Sequence, residues 1–409
     1  MNGGASMGLV QRLDGERQGM DRRLAEMMYR RIGSPRVCLE LWNGERVGPE
    51  QTVGCIRFRE RPALWCLPLN MNLHFGDAYI KGAIEIEGDL IEVLTEIYRS
   101  MPEHSDRGLI SRLLRRAINP RRNTLRRSRK NIQSHYDLGN DFYRLWLDRE
   151  LIYTCAYYTD ERQTLEAAQF AKMEHICRKL RLCPGETVVE AGCGWGALAL
   201  HMGRYYDVRV RAYNISSEQI RHARQRAREE GLDDRVEFIE DDYRHIDGEY
   251  DVFVSVGMLE HVGREHHAEL GRVIDRCLKP DGRGLLHSVG RNRPQQMSDW
   301  IEKRIFPGSY VPALSEMLSV IEPHGFSVLD VENLRMHYAR TLRDWLERFE
   351  QVSDQVERMF DASFVKAWRL YLGGCSAAFA AGSVQLFQLL FARPGVSDWP
   401  LTRAHLYRE

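Results

Sequence analysis

Three glycines at alternate positions, Gly192, Gly194 and Gly196, follow the apolar pair Val188-Val189 and the acid Glu190, and a helical pattern runs from Ala197 to about Tyr205. A β-branched run entering a glycine loop and then a helix makes a backbone cradle. Glycine accepts positive φ and lets a ligand lie against bare peptide, and the free amides at a helix start favour polar groups. The spacing G-x-G-x-G is not the dinucleotide pattern G-x-G-x-x-G, and no Lys-Ser/Thr follows it as in a phosphate-binding P-loop. Further residues able to do chemistry stand at the ends of later apolar runs: Glu260 after Tyr250–Val256, and His287 after Gly284. Each has a bland alternative. The loop fits a structural turn or another nucleotide-binding α/β protein, His287 fits a capped strand-end histidine, Cys155 a small buried apolar residue and Tyr338 a packing aromatic.

The elements that must position these residues alternate. Strands are expected at Val188–Glu190, Val208–Tyr213, Val236–Glu240, Tyr250–Val256 and Gly284–His287, with helices at Thr164–Leu182, Ala197–Tyr205, Ser217–Glu230 and His267–Cys277. That alternation predicts an α/β fold: a doubly wound, mainly parallel sheet covered on both faces. Ligands in such sheets sit at the carboxyl ends of the strands, so Glu190, Asn214, Asp242, Gly257 and His287 should converge on one crevice. Residues 291–345 read as an insertion or lid, and the aromatic-rich stretch from Leu342 to Arg393 reads as largely helical.

Ahead of this domain the pattern differs. Residues 1–25 read as a loose leader. Residues 26–106 read as a small α+β domain, with strands at Val37–Trp42, Val53–Phe58, Ala63–Leu67 and Ile84–Gly88 and a helix at Asp89–Arg99. Residues 107–130 carry ten Arg or Lys and no acid. Apolar residues from Leu109 to Ile118 are interleaved at helical spacing, which suits an anionic membrane surface, a solvated linker or nucleic acid. Residues 131–409 then form the larger domain.

Composition limits the options. The chain has 409 residues, 58 Lys+Arg against 58 Asp+Glu, and 43% hydrophobic residues, so it is globular and any charge message is local. Nine scattered cysteines with no C-x-x-C pair argue against a disulfide framework or a zinc site and for a reducing compartment. No apolar h-region opens the sequence and no apolar run is long enough to span a bilayer.

The glycine loop after an acidic strand end is similar to motif I of the class I S-adenosylmethionine (SAM) methyltransferases. HYDLGNDFY, YTCAYY, EAGCGWG, SVGMLEHVG and LLHSVG, in this order over about residues 125–395, resemble the cyclopropane-fatty-acyl-phospholipid synthases and the related mycolic acid cyclopropane synthases. FGDAYIKG resembles the accessory domain of the bacterial phospholipid enzymes.

The resemblance implies that a cis alkene in a lipid chain attacks the methyl of SAM, and that the resulting carbocation loses a proton to bound bicarbonate and closes a cyclopropane ring. By position, the bicarbonate site would be Cys155, Glu260, His287, Tyr338 and the backbone of Val289. The residue chemistry agrees in part: His and Tyr can donate to an anion, and a Glu accepting an O–H favours bicarbonate over chloride. SAM would contact Tyr153, Thr154, Gly192, Gly194, Asn214 and Gln219, with Asp242, Tyr243 and Arg244 near the adenine and Glu190 toward the methionine amino group. No metal is implied. Three positions depart from the family pattern: Glu190 stands for Asp, Tyr213-Asn214 for Val/Leu-Thr, and Leu259 for Phe. The implied setting is a phospholipid bilayer, with the protein cytoplasmic and peripheral on the inner face of the cell membrane, as a homodimer without nucleic acid. Competing readings are a lipid C-methyltransferase giving a methylene- or methyl-branched chain, and a non-catalytic lipid-binding protein.

Overall fold

The computed structural model of the chain describes residues 19–102 and 138–407, so the basic connector at 107–130 lies outside the described residues. The described residues form two compact units, the first from 19–102, 298–300 and 354–383, the second from 138–297, 301–353 and 384–407.

In the first unit, a helix over 19–31 replaces the last part of the expected loose leader. Strands β1 (Val37–Glu40), β2 (Arg46–Val47), β3 (Gly54–Phe58) and β4 (Ile84–Gly88) form a sheet in the order β2-β1-β3-β4, with β1 and β3 parallel. Ala63–Leu67, expected as a strand, falls largely in the helix Arg61–Cys66: Pro62 at its first turn needs no N–H there and its fixed φ suits a helix start. The helix Ala362–Ala381 packs against helices Leu90–Ser100 and Met71–Ile80. This departs from the linear division at residue 131, which placed the whole tail with the larger domain. A chain that leaves one unit and returns to it gives no local signal of doing so.

The second unit holds seven strands: β5 (Thr187–Ala191), β6 (Arg209–Asn214), β7 (Val236–Glu240), β8 (Tyr250–Val256), β9 (Leu278–Gly290), β10 (Ser327–Asn333) and β11 (Gln385–Ala392). Their order is β10-β11-β9-β8-β5-β6-β7. The stretch β9-β8-β5-β6-β7 is parallel, and β11 runs antiparallel to both β9 and β10. Val188 belongs to the core on one face and Val189 to the core on the other, so β5 is buried on both sides and reads as a continuous apolar run. Strand order turns back between β5 and β8, and the glycine loop sits at that switch point.

Two expectations are corrected here. Residues 385–392 are a strand, not part of a helical tail: an eight-residue run buried at every position carries no period that separates strand from helix. The stretch expected as a lid contributes β10 to the sheet, and its helix Leu314–Ile321 supplies Met317, Val320 and Ile321 to the core.

Candidate active site

The glycine loop closes β5 with φ of 84° at Gly192, 54° at Gly194 and 87° at Gly196. Two amides of the loop, Gly192 N–H and Cys193 N–H, donate to Tyr213 O at 2.9 and 3.1 Å, which ties it to the end of β6. Asn214, at that strand end, donates from Nδ2 to Gly194 O at 3.2 Å and to Gln219 Oε1 at 2.7 Å. Asn214 and Gln219 thus clamp the cradle from the side.

Glu190 is 2% exposed, with Oε2 lacking a partner. Burial pushes its carboxyl up to about 7, against the pull of Lys172 and the Ala199 N–H. Lys172 lies in the helix Leu165–Leu180 and is itself buried, which lowers its ammonium to about 8. It donates to Thr154 Oγ1 at 3.1 Å. Gln169, on the same helix, donates to the carbonyls of Ile152 and Thr154 at 3.3 and 3.0 Å. These two polar side chains fasten the Ile152–Ala156 loop. Thr154 also packs against the end of β8, where a Cβ on Gly257 would meet its Cγ2 at 2.9 Å.

Cys155 is fully buried, and its thiol lies 3.2 Å from Ala156 O and 4.0 Å from Leu334 O. Burial pushes that thiol up, so it stays protonated and is no nucleophile. The next amide, Ala156 N–H, donates to Thr341 Oγ1 at 3.0 Å. Thr341 is in the helix Arg335–Gln351, one turn after Tyr338, so loop and helix are bound to each other. Tyr153 and Tyr338 both reach Trp345, at ring centroid distances of 5.2 and 6.0 Å. Tyr143, Trp146 and Trp195 extend this aromatic wall, and Trp195 Nε1 donates to Asn140 Oδ1 at 2.8 Å, which joins the NDFY segment to the glycine loop.

Glu260 is the second residue of the short helix Leu259–Val262 beyond β8, and Val289 N–H donates to its Oε1 at 2.6 Å. Burial raises the carboxyl to about 7, against the pull of its own and the Val289 backbone N–H and of the Ser288 hydroxyl. The Ser288 hydroxyl donates to Val289 O, and Glu260 Oε2 is buried with no partner in hydrogen-bonding geometry. His287 lies on β9, two residues before Val289 and opposite Val256 of β8. It is 2% exposed, Gln388 Nε2 is 3.1 Å from its Nδ1, and its Nε2 has no partner. Burial, with Lys172 and Lys179 nearby, holds the ring well below the usual imidazole range, so it is neutral. Glu260 is thus tied to Val289 where β8 and β9 end, with His287 two residues earlier on β9, and Glu260 Oε2 and His287 Nε2 are both without a partner.

A buried carboxyl with a raised pKa has a consequence for stability. The folded value of about 7 lies above the ordinary 4.5, so the native protein binds this proton more readily than the unfolded chain. The associated stability is present below the ordinary value and is lost as pH rises through the folded one. Ligand-free Glu260→Gln is expected to be more stable than the parent at about pH 8, by on the order of 2–3 kcal/mol, with the gap shrinking toward about pH 5. Thermal melting across that range checks this, and a gap that widens toward acid contradicts it.

Other positions are placed differently. Arg244 pairs with Asp242 through Nε at 2.7 Å and Nη2 at 3.1 Å. The Tyr243 ring is buried with Tyr213 and Ile246 in the core, its hydroxyl unpartnered. Leu259 is 1% exposed within that core. Met258, beside it, is the side chain that touches Gly192. Gln169, Lys172, Thr341 and Gln388 escaped the reading of the sequence. The available signal was a polar residue inside an apolar run, clearest for Gln388 in QLFQLLFA. Among the described residues, no group of three or more His, Cys, Asp and Glu is placed to hold a metal ion, and no helix is long and apolar enough to cross a membrane.

Residues 123–389 match the family described as mycolic acid cyclopropane synthetase. The chain belongs to this family. Residues 24–106 match a domain of unknown function, DUF7884. A probable fatty acid methyltransferase of Pseudomonas putida is 36% identical over 386 residues, covering 90% of this chain and 96% of the relative. The cyclopropane-fatty-acyl-phospholipid synthase of Escherichia coli K12 is 41% identical over 262 residues, 64% of this chain and 67% of the relative. The cyclopropane synthase MmaA2 of Mycobacterium tuberculosis superposes with a TM-score of 0.62 at 30% identity, covering 64% of this chain and 98% of that one. The mycolic acid cyclopropane synthase CmaA1 complexed with SAH and CTAB also gives 0.62, at 31% identity. This member of the synthetase family is thus a SAM-dependent methyltransferase with the class I fold that modifies lipid acyl chains.

Proposed function

We propose that the protein transfers the methyl carbon of SAM to the cis double bond of unsaturated acyl chains in membrane phospholipids and closes a cyclopropane ring. The observation that carries this is two orphaned buried polar atoms at neighbouring strand ends: Glu260 Oε2 and His287 Nε2 are both without a hydrogen-bond partner. A small anion carrying its own O–H satisfies both, which fits bicarbonate and does not fit chloride. When bound, bicarbonate supplies the base that takes the proton from the new methyl.

The chain's own residues do the rest. Gly192 and Gly194 admit SAM against bare backbone, with Tyr153, Thr154, Asn214 and Gln219 around it and Asp242, Tyr243 and Arg244 toward the adenine. Glu190 faces the methionine end, where an ammonium would draw its raised carboxyl back to the ionised form. Glu260, His287, Tyr338, the Val289 backbone and the Cys155 loop hold the anion. Held with one oxygen on Val289 N–H, Glu260 points its other oxygen at the anion's hydroxyl and raises its basicity. The wall of Tyr153, Trp345 and Tyr338 supplies π-electron density to a carbocation and keeps water away from it.

A second reading stays in view because the Pseudomonas putida relative, matched over most of the chain, is named a fatty acid methyltransferase. If a 1,2-hydride shift first moves the cation to the carbon bearing the new methyl, loss of a methyl proton leaves a methylene branch, and with later reduction a methyl branch. Incubation with SAM and vesicles of monounsaturated phospholipid, with free monounsaturated fatty acid in parallel, tests the proposal by mass analysis. A gain of one CH2 in the phospholipid acyl chains is expected, lost on bicarbonate depletion and restored on its return. Gain in the free acid alone, or a rate indifferent to bicarbonate, counts against it.

The protein is also proposed to work as a homodimer, peripheral on the inner face of the cell membrane, with the basic connector against anionic head groups. Charge reversal across residues 121–130 is expected to abolish co-sedimentation with anionic vesicles at low salt, since each basic residue contributes about 1 kcal/mol there. Unchanged co-sedimentation removes the connector from this role.

A further inference from the structure

Gln388 is a buried polar residue that the chemistry above does not use. It lies on β11, directly opposite His287 of β9 in the antiparallel register, and is fully buried. Its amide nitrogen is 3.1 Å from His287 Nδ1. A primary amide nitrogen only donates, so an Nδ1 that faces it must carry a lone pair and no proton. The ring proton is then on Nε2, the atom without a partner. The reversed amide would accept from Nδ1–H and leave a bare Nε2 lone pair facing an anion, a repulsive arrangement.

We infer that Gln388 is a positioning residue: its amide fixes His287 as the neutral tautomer protonated at Nε2, so that His287 serves as a permanent hydrogen-bond donor and takes no part in proton transfer. The role of that donor and the exclusion of the reversed amide rest on the bicarbonate reading; the measured tautomer is independent of it. The charged and titratable groups around the ring agree with a neutral state. Lys172, Lys179 and His175 disfavour a proton on it, and only Glu332 favours one. Glu332 is already engaged by Lys179 at 2.6 Å and by His175 at 2.7 Å. Both strands are held by the sheet, so the pair has little freedom to rearrange. A consequence for the reaction is that the proton leaving the new methyl has no route through His287.

The test is nitrogen-15 NMR of the full chain labelled at histidine, with the His287 signals assigned by their loss in His287→Asn. The wild-type protein is expected to show a protonated Nε2 and a bare Nδ1, unchanged from about pH 6 to about pH 9. Gln388→Glu, which places an acceptor at Nδ1, is expected to move a proton onto Nδ1. Gln388→Leu is expected to raise the bicarbonate concentration for half-maximal rate at least about tenfold, the scale of one lost hydrogen bond, with SAM affinity unchanged. A wild-type ring protonated on Nδ1, or one that titrates in that range, overturns the inference without any variant. Loss of SAM affinity in Gln388→Leu equal to the loss in bicarbonate response also overturns it, since that marks a merely structural residue. If the wild-type rate ignores bicarbonate, the anion reading fails while the tautomer result still stands or falls on its own.

Discussion

Glu260→Gln is expected to lower the turnover number by about 10³-fold while SAM binds as tightly as to the parent, the range seen when a group that sets proton transfer is removed. The substitution keeps the shape of the side chain and the acceptor for Val289 N–H. What it changes is the second position, where a carboxylate oxygen that only accepts becomes an amide nitrogen that donates. That atom is buried and unpartnered in the ligand-free protein. Turned into a donor, it meets an anion's O–H with the wrong polarity, so the anion is lost or turned away from the reacting methyl. Single-turnover rates and calorimetric SAM affinity separate the two effects. Parallel loss of both would show that Glu260 supports the fold of the site and not the chemistry. The stability gain expected for the same variant above neutral pH makes that outcome easy to recognise, because a damaged fold would melt lower.

The second large effect concerns the cradle. Gly192→Ala is expected to weaken SAM binding by roughly 10- to 100-fold, for two separable reasons. Gly192 has φ of 84°, a conformation that costs an L-residue about 1–2 kcal/mol. An added Cβ also stands 2.9 Å from Met258 Cβ and 3.2 Å from its Cγ. The loop must then shift away from Tyr213 O, which both loop amides use. Adding Met258→Ala should relieve part of the loss by trimming the side chain beyond Cβ, and the remainder measures backbone strain and the contact with the retained Cβ. Binding equal to the parent's would mean that SAM does not lie against this turn.

How much of this was legible beforehand divides along physical lines. The loop, β5 to β9 and the positions of the strand-end residues were readable because each carries a local demand: positive φ at the glycines, period-free apolar runs for doubly covered strands, and polar side chains placed at or just past their ends. The strand β11 was not, because a fully buried octet looks the same as a buried helix turn. Its order in the sheet, between β9 and β10, follows only from long-range pairing. Gln169, Lys172 and Thr341 were missed for a similar reason. Each acts on a loop that lies 15 or more residues away in the chain, and nothing adjacent to them in sequence marks a partner. Leu259, which stands where the family pattern has Phe, is buried in the core.

The central claim is tested most directly with SAM carrying a trideuterated methyl group and vesicles of monounsaturated phospholipid. The account predicts product acyl chains that gain one carbon, keep two of the three deuterons and resist catalytic hydrogenation, as a ring does. Chains that keep all three deuterons, or that take up hydrogen at the new carbon, would contradict ring closure and make this protein a branching methyltransferase.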